Sequence, residues 1–166
     1  MKTDIRNTNL KYMIYALALI GLMAMLTGCY ASSQGKLEIT SNDIAENIKN
    51  EFPLDYMSPN GNSKALKRFY SLNFAAYTDV ILYTPLSSMD VKEMMIIKVE
   101  DESQIDAIET AVENRVSKQI ESFSGYGAEQ CALLEDYVFK IKGDYVFYSV
   151  GENAESMKEI FTDSLK

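Results

Sequence analysis

The feature that most constrains the fold is a long amphipathic pattern in the second half of the chain. Its apolar members recur every three or four residues: Ile105, Ile108, Val112, Val116, Ile120 and Phe123. This spacing places all of these side chains on one face of a helix. Asp101 and Ser103 open the helix, and Gly125 and Gly127 end it. A helix with one apolar stripe has to pack on another layer, so the pattern calls for further elements beside it.

Strand patterns flank this helix on both sides. Glu93–Val99 precedes it, and two strands, Tyr137–Lys142 and Tyr145–Val150, follow it. Only Gly143-Asp144 separates the two later strands. A connection of two residues that begins with glycine predicts a hairpin with a type II′ turn.

Shorter segments complete the pattern. Helices are predicted from Thr40 or Ser41 to Phe52, over Ala65–Leu72, over Ala128–Glu135 and over Asn153–Leu165, a strand over Thr78–Thr84, and a loop over Tyr56–Ser63. The order of these elements predicts an α+β fold. We expect a two-layer sandwich, with a largely antiparallel sheet and the helices packed on one face. The sequence does not determine the order of the strands in the sheet.

The first 28 residues have the composition of a secretory signal peptide. Residues 1–11 are polar and net positive, and Tyr12–Leu26 is apolar and carries no charge. As a helix this run would span about 22 Å, less than the ~30 Å hydrocarbon core of a membrane. A basic start, a short apolar run and small residues at its end predict a cleaved signal peptide over residues 1–28.

The four residues Leu26-Thr27-Gly28-Cys29 resemble the bacterial lipobox. The resemblance implies cleavage between Gly28 and Cys29 and a diacylglyceryl group on the Cys29 sulfur, whose two acyl chains would give lasting attachment to the cell membrane. We therefore expect a lipidated tether over residues 29–36 and a single α+β domain over residues 37–166, on the extracytoplasmic face. In the alternative interpretation, the apolar run is an uncleaved membrane anchor and Cys29 is incidental.

Composition excludes several classes of function. The chain has 24 acidic and 16 basic residues and a net charge of −8, which repels phosphate backbones and excludes nucleic acid as a partner. It contains no histidine, which removes Ser-His-Asp catalysis, Cys-His catalysis and histidine metal sites. If Cys29 carries lipid, the other cysteine, Cys131, has no disulfide partner within the chain.

Three local motifs could carry chemistry, and each has a simpler structural interpretation. Gly125-Tyr126-Gly127 begins like a dinucleotide-binding loop, but Gln130 occupies the place of the third glycine and a helix precedes it, which favours a helix-breaking turn. Glu100-Asp101-Glu102 lacks the ligand spacing of a calcium loop and suits the N terminus of a helix. Cys131 has no histidine to activate it and is predicted to be a buried packing residue. No cofactor and no metal is predicted.

Polar residues of the long helix have more than one interpretation. Glu109 and Glu113 share a face and could do acid–base work, although solvated helix residues have the same pattern. Arg115, with Gln119 beside it, could anchor a ligand carboxylate or pair with a neighbouring acid. The acidic composition favours the pairing.

Tyrosines are numerous after the predicted cleavage site, where the chain has no tryptophan. They are Tyr30, Tyr56, Tyr70, Tyr77, Tyr83, Tyr126, Tyr137, Tyr145 and Tyr148. Exposed tyrosines could line a groove for a peptide or a glycan, because each has an apolar ring and a polar tip. Packing between the sheet and the helices is the favoured interpretation for most of them.

Four segments together resemble the domain-of-unknown-function family numbered 4358. They are Glu93-Met-Met-Ile-Ile-Lys-Val-Glu-Asp, Ala111-Val-Glu-Asn-Arg-Val-Ser-Lys-Gln, Phe123-Ser-Gly-Tyr and Lys142-Gly-Asp-Tyr-Val-Phe-Tyr-Ser-Val. The resemblance covers about residues 65–161 and rests on the order and spacing of the segments. It implies a secreted lipoprotein of a Gram-positive bacterium, and it implies no particular activity.

Two hypotheses about function follow. In the first, the domain is a non-catalytic binding or interaction module at the cell surface, whose partner is a protein, a peptide or a glycan. In the second, it is a hydrolase that uses carboxylates alone, with two acids across a cleft. The absence of histidine, and of any nucleophile motif or metal-ligand spacing, favours the first hypothesis. The sequence does not identify the ligand-binding residues.

Overall fold

The structure, a computed structural model, describes residues 38–166. The predicted signal peptide, the cleavage site at Gly28 and Cys29, and the tether over residues 29–36 lie outside the described residues. Within the described part of the chain, no helix is both long enough and apolar enough to cross a membrane.

The centre of the fold is a five-stranded sheet in which all neighbouring strands are antiparallel. The strands are β1 (Met57–Pro59), β2 (Asp79–Pro85), β3 (Glu93–Lys98), β4 (Val138–Lys142) and β5 (Tyr145–Val150), in the order β1-β2-β3-β5-β4. The prediction of an α+β fold with an antiparallel sheet is confirmed. The prediction of a loop over Tyr56–Ser63 is wrong at Met57–Pro59, which forms β1. This short strand lies at the edge of the sheet, where Pro59 is tolerated although it has no backbone N–H to donate.

Five α-helices accompany the sheet in the described residues. They are α1 (Ser41–Glu51), α2 (Ser63–Tyr70), α3 (Ile105–Phe123), α4 (Ala128–Glu135) and α5 (Ala154–Ser164), with short 3-10 turns at Phe74–Ala76 and Glu102–Gln104. Each lies within two residues of its predicted bounds. The start of α1 follows from local chemistry. The Thr40 side chain accepts a hydrogen bond from the Asp43 backbone at 3.1 Å, and the Asp43 side chain accepts one from the Thr40 backbone.

Helices cover both faces of the sheet, so the predicted two-layer arrangement with helices on one face is wrong. All six residues of β3 and all six of β5 are buried. On one face, Met95, Ile97 and Tyr148 pack with α2, α3 and α4, and on the other face Met94, Ile96 and Phe147 pack with α1 and α5. Since neighbouring side chains of a strand point to opposite faces, an uninterrupted apolar run requires cover on both.

The hairpin between β4 and β5 has the predicted turn. Lys142 pairs with Tyr145, so Gly143 and Asp144 alone form the connection. Gly143 has φ of +58°, and Asp144 is not among the residues with positive φ. A positive φ at the first central position only is the type II′ conformation, which confirms the prediction.

Candidate functional site

A polar cluster is buried where helix α3 crosses the central strand. Glu93, the first residue of β3, has a side chain with 0% exposure. The Arg115 guanidinium on α3 donates from Nε to Glu93 Oε1 at 3.3 Å and from Nη2 to Oε2 at 3.1 Å. The Tyr148 hydroxyl on β5 donates to Glu93 Oε1 at 2.9 Å. Both oxygens of the buried carboxylate therefore accept hydrogen bonds, which offsets the cost of removing its charge from water.

Gln119 completes the cluster one helical turn after Arg115. In the amide orientation that satisfies both neighbours, its nitrogen donates to Glu93 Oε1 at 3.1 Å and its oxygen accepts from Arg115 Nη2 at 3.1 Å. The four-residue spacing places Arg115 and Gln119 on the same face of α3. Of the two roles predicted for Arg115, the structure shows pairing with an acid. That acid is Glu93, which the sequence identified only as the start of a strand.

Two tyrosine rings pack around this cluster. Tyr70 and Tyr148 meet edge to face, with ring centroids 6.2 Å apart. Burial raises the pKa of each hydroxyl well above its usual value, and the negative charge of Glu93 raises it further. The buried Tyr70 hydroxyl lies near Glu93 and Arg115, which both affect its pKa, but it forms no hydrogen bond of ordinary geometry within residues 38–166. Both phenols are therefore held in the neutral form.

Both arginines of the described chain stack on one aromatic ring. The Arg115 guanidinium carbon lies 4.8 Å from the centroid of the Phe69 ring, and that of Arg68 lies 5.3 Å from it. Arg68 is exposed and makes no ion pair within residues 38–166. Contact with a ring face attracts a guanidinium and limits its rotation, so Phe69 holds both cations in place.

The two arginines and Phe69 form one wall of a cavity of about 340 Å³. Arg68 and Phe69 of α2, Arg115 and Gln119 of α3, and the connection between β2 and β3 line it. The volume falls within the range of about 300–1,000 Å³ that small-molecule sites occupy. Because Arg115 and Gln119 belong to the buried cluster as well, the polar groups at this wall are fixed by the core.

Three exposed apolar side chains, the apolar rim, belong to segments that line the cavity or adjoin its lining. Leu86, Met89 and Tyr126 have relative exposures of 64%, 60% and 66%. Leu86 lines the cavity, and the Tyr126 ring lies 5.6 Å from that of Phe123, which lines it as well. The one other large apolar side chain that is exposed within residues 38–166 is Ile141 on β4, at 41%. Large exposed apolar groups next to a polar cavity favour an interaction site.

The glycine motif before α4 is a turn, as the sequence analysis favoured. Gly125 has φ of +90°, and the backbone N–H groups of Tyr126 and Gly127 both donate to the Phe123 carbonyl. A Cβ at Gly127 would lie 2.7 Å from the Phe123 ring, so the close approach of the turn to α3 requires glycine there.

The other predicted candidates lie outside the cavity. Glu109 and Glu113 are exposed on α3. Asp101 caps the 3-10 turn before α3 through a 2.8 Å hydrogen bond from the Ser103 backbone, and the bonds from Ser103 lower its pKa. Cys131 is half-buried, packs against the core, and has its Sγ 3.9 Å from the Ile120 carbonyl. Within residues 38–166, no group of three acidic, cysteine or histidine side chains is arranged to hold a metal ion.

Most of the tyrosines pack in the interior, as the sequence analysis favoured. Tyr70, Tyr145 and Tyr148 are buried, and Tyr56, Tyr77, Tyr83 and Tyr137 are half-buried. Tyr126 is the one exposed tyrosine in the described chain, and Tyr30 lies outside the described residues.

The family model named Domain of unknown function (DUF4358) matches residues 51–151. The protein therefore belongs to this family, as its resemblance to the family predicted. Neither curated proteins nor solved structures give a match. The matched range contains the Glu93 cluster and all the residues that line the cavity.

Proposed function

We propose that this protein is a lipid-anchored, extracytoplasmic binding module whose ligand occupies the cavity between α2, α3 and the β2–β3 connection. The observation that carries the proposal is the fixed position of the cavity's donors. Arg115 makes two bonds to Glu93, and Gln119 bridges the same two groups. A ligand that meets donors already held in place loses less conformational entropy on binding, which raises affinity.

The chemistry of the cavity favours binding over catalysis. The buried Glu93 carboxylate accepts hydrogen bonds at both oxygens, so it is engaged in structure and not available as a base. Asp90 is the one acidic residue, within the described chain, that lines the cavity, and its Oδ1 accepts hydrogen bonds from the backbones of Val91 and Lys92. A hydrolase that uses carboxylates alone needs two of them facing one substrate.

The anchor is the second part of the proposal. It rests on the leader sequence and on Leu26-Thr27-Gly28-Cys29. A tether from Cys29 to Leu37 spans at most about 30 Å when fully extended, so the domain stays close to the membrane. Attachment at this distance raises the effective concentration of the module toward partners at the same surface.

Mass spectrometry of the native protein tests the anchor. We expect an N terminus at Cys29 with a diacylglyceryl group on its sulfur. Cys29→Ser should abolish acylation and leave unprocessed precursor or shed protein. Cys131→Ser serves as the control and should keep acylation at the wild-type level. An unmodified Cys29, or a native chain that retains Met1, would contradict this part of the proposal.

Blocking the cavity tests the binding site for a ligand of any chemistry. Ser122 lines the cavity on α3, whereas Ser117 is exposed on the same helix outside it. We expect compounds that raise the melting temperature of the detergent-solubilised full-length protein to do so for Ser117→Trp but not for Ser122→Trp. Equal stabilisation of both variants would place the ligand elsewhere. Turnover of a glycan, peptide or ester substrate that disappears when one Asp or Glu is changed would favour the hydrolase.

A further inference from the structure

We propose that the cavity binds the C-terminal carboxylate of an apolar peptide, with Arg68 as the charge partner of that carboxylate. This inference rests on the proposed binding function and adds the chemical class of the ligand. Arg68 and Arg115 are the only arginines after the predicted leader, and both line this one cavity. In a chain with a net charge of −8, such a concentration of guanidinium groups indicates an anionic ligand.

The balance of charge in the cavity favours a ligand with one negative charge over a ligand with two. Glu93 neutralises Arg115 through the buried ion pair, whereas Arg68 has no ion pair among the described residues. Asp90 adds one negative charge to the lining. A doubly charged phosphate would therefore meet one unpaired cation and one nearby carboxylate. A carboxylate carries one charge, which the Arg68 guanidinium can match.

The donors fit the shape of a carboxylate. The Arg68 side chain is exposed and makes no ion pair within residues 38–166, and a guanidinium can bind a carboxylate with two parallel hydrogen bonds. Arg115 engages Nε and Nη2 with Glu93 and leaves Nη1 without a partner in the described chain. The Phe69 ring contacts both guanidinium groups, and all three residues line the cavity.

The apolar rim indicates that the carboxylate belongs to a peptide and not to a small free acid. Leu86, Met89 and Tyr126 are each at least 60% exposed. Leu86 lines the cavity, Met89 lies in the chain between Ser88 and Asp90, which line it, and the Tyr126 ring is 5.6 Å from that of Phe123, which lines it as well. A small acid held by Arg68 would leave these side chains in water. An extended peptide whose last residues are apolar would cover them, while its terminal carboxylate reached the arginines, as in known capture of peptide C termini.

A pair of matched peptide libraries tests the inference. Fluorescent tripeptides that vary in their last two residues are prepared with a free C-terminal carboxylate and, separately, with an amidated C terminus. Binding is measured by fluorescence anisotropy to the detergent-solubilised full-length protein. We expect members with apolar ends to bind as acids and to lose at least about tenfold in affinity when amidated, because a charge-assisted pair is lost.

Variants identify the residue that recognises the charge. Arg68→Gln should lower the affinity for the peptide acids at least about tenfold and change the affinity for the amides by less than about twofold. Lys64→Gln removes the same charge from α2 outside the cavity and should change neither by more than about twofold. Tyr126→Ser should weaken binding of the peptides while leaving the dissociation constant of acetate, obtained by competition, within the wild-type range.

The outcomes separate this inference from the binding function itself. If peptide acids and amides bind equally and Ser122→Trp abolishes this binding, recognition of the carboxylate is wrong and the cavity is still the binding site. Displacement of the peptides by inorganic phosphate at lower concentration than by acetate would overturn this inference in favour of a phosphate ligand. A library in which no member binds in an Arg68-dependent manner would overturn it as well, while stabilisation by other compounds, lost in Ser122→Trp, would keep the binding function.

Discussion

Glu93 and Arg115 form a two-point ion pair that joins the central strand of the sheet to helix α3. Arg115 Nη2 lies 3.1 Å from Glu93 Oε2, and the two residues are 22 positions apart in the sequence. The Glu93 side chain is fully buried, and that of Arg115 is 17% exposed where it reaches the cavity. One interaction therefore contributes to the stability of the core and to the arrangement of the cavity wall.

Removing one partner of this pair should be costly. Arg115→Met leaves the Glu93 carboxylate buried without its counter-ion, and we expect the free energy of unfolding to fall by about 3–5 kcal/mol. Adding Glu93→Gln to the Arg115→Met variant removes the unpaired charge and should restore at least about 1 kcal/mol of the free energy of unfolding. Urea denaturation followed by circular dichroism measures both effects.

An exposed ion pair provides the control for this prediction. Lys49 and Glu46 on α1 are about half exposed and lie 3.3 Å apart. Lys49→Met should therefore change stability by less than about 1 kcal/mol. A similar loss in Lys49→Met and Arg115→Met, or no recovery on adding Glu93→Gln, would contradict the role assigned to burial.

The two tyrosines of the cluster should respond differently to loss of the hydroxyl group. Tyr148→Phe removes a hydrogen bond to a carboxylate, and we expect a loss of about 1.5–3 kcal/mol. The Tyr70 hydroxyl is buried beside Glu93 and Arg115 without a well-formed hydrogen bond in the described chain, so Tyr70→Phe should be neutral or stabilise by up to about 1 kcal/mol. Thermal and urea denaturation of the two single variants decide the matter, and a larger loss in Tyr70→Phe would show that its hydroxyl has a partner.

The raised pKa values of Tyr70 and Tyr148 predict a loss of stability in alkali. The folded protein holds these protons more tightly than the unfolded chain, whose tyrosines have a pKa near 10. Their contribution is complete below about pH 10 and is lost as pH rises toward the folded-state values. Urea denaturation between about pH 8 and 11 should show this decline, and the part of the phenolate absorbance that is absent from the Tyr70→Phe/Tyr148→Phe double variant should appear only on unfolding. The same decline in the Tyr70→Phe/Tyr148→Phe double variant would contradict this assignment.

The parts of the fold that could be predicted depend on interactions between near neighbours in the chain. The stripe from Ile105 to Phe123 defines α3, and Gly143-Asp144 defines the hairpin, because helix periodicity and turn conformation are local. The predicted arrangement, with helices on one face of the sheet, was wrong because Met94–Ile97 is an uninterrupted apolar run. Such a run shows that a strand is buried on both faces, but not which helices cover it.

The candidate site was less predictable, since its members are distant in the sequence. Arg115 and Gln119 were identified on one helix face, and an acidic partner for Arg115 was favoured. The identity of that partner, Glu93, depends on the packing of α3 across the sheet, which no local pattern encodes. The available signal was an acidic residue at the start of an otherwise apolar strand, because such a residue needs a counter-ion if the strand is buried.

The turn between β4 and β5 allows a direct test of backbone conformation. Gly143 has φ of +58° and no heavy atom within 4 Å of a Cβ added there, so Gly143→Ala introduces backbone strain without a steric clash. We expect a loss of about 1–3 kcal/mol in unfolding free energy. Gly61 is the matched control, because its φ is not positive and an added Cβ would make only ordinary contacts, the nearest at 3.5 Å. Gly61→Ala should cost less than about 1 kcal/mol in the same urea denaturation experiment, and equal losses in both variants would count against a type II′ turn at Gly143.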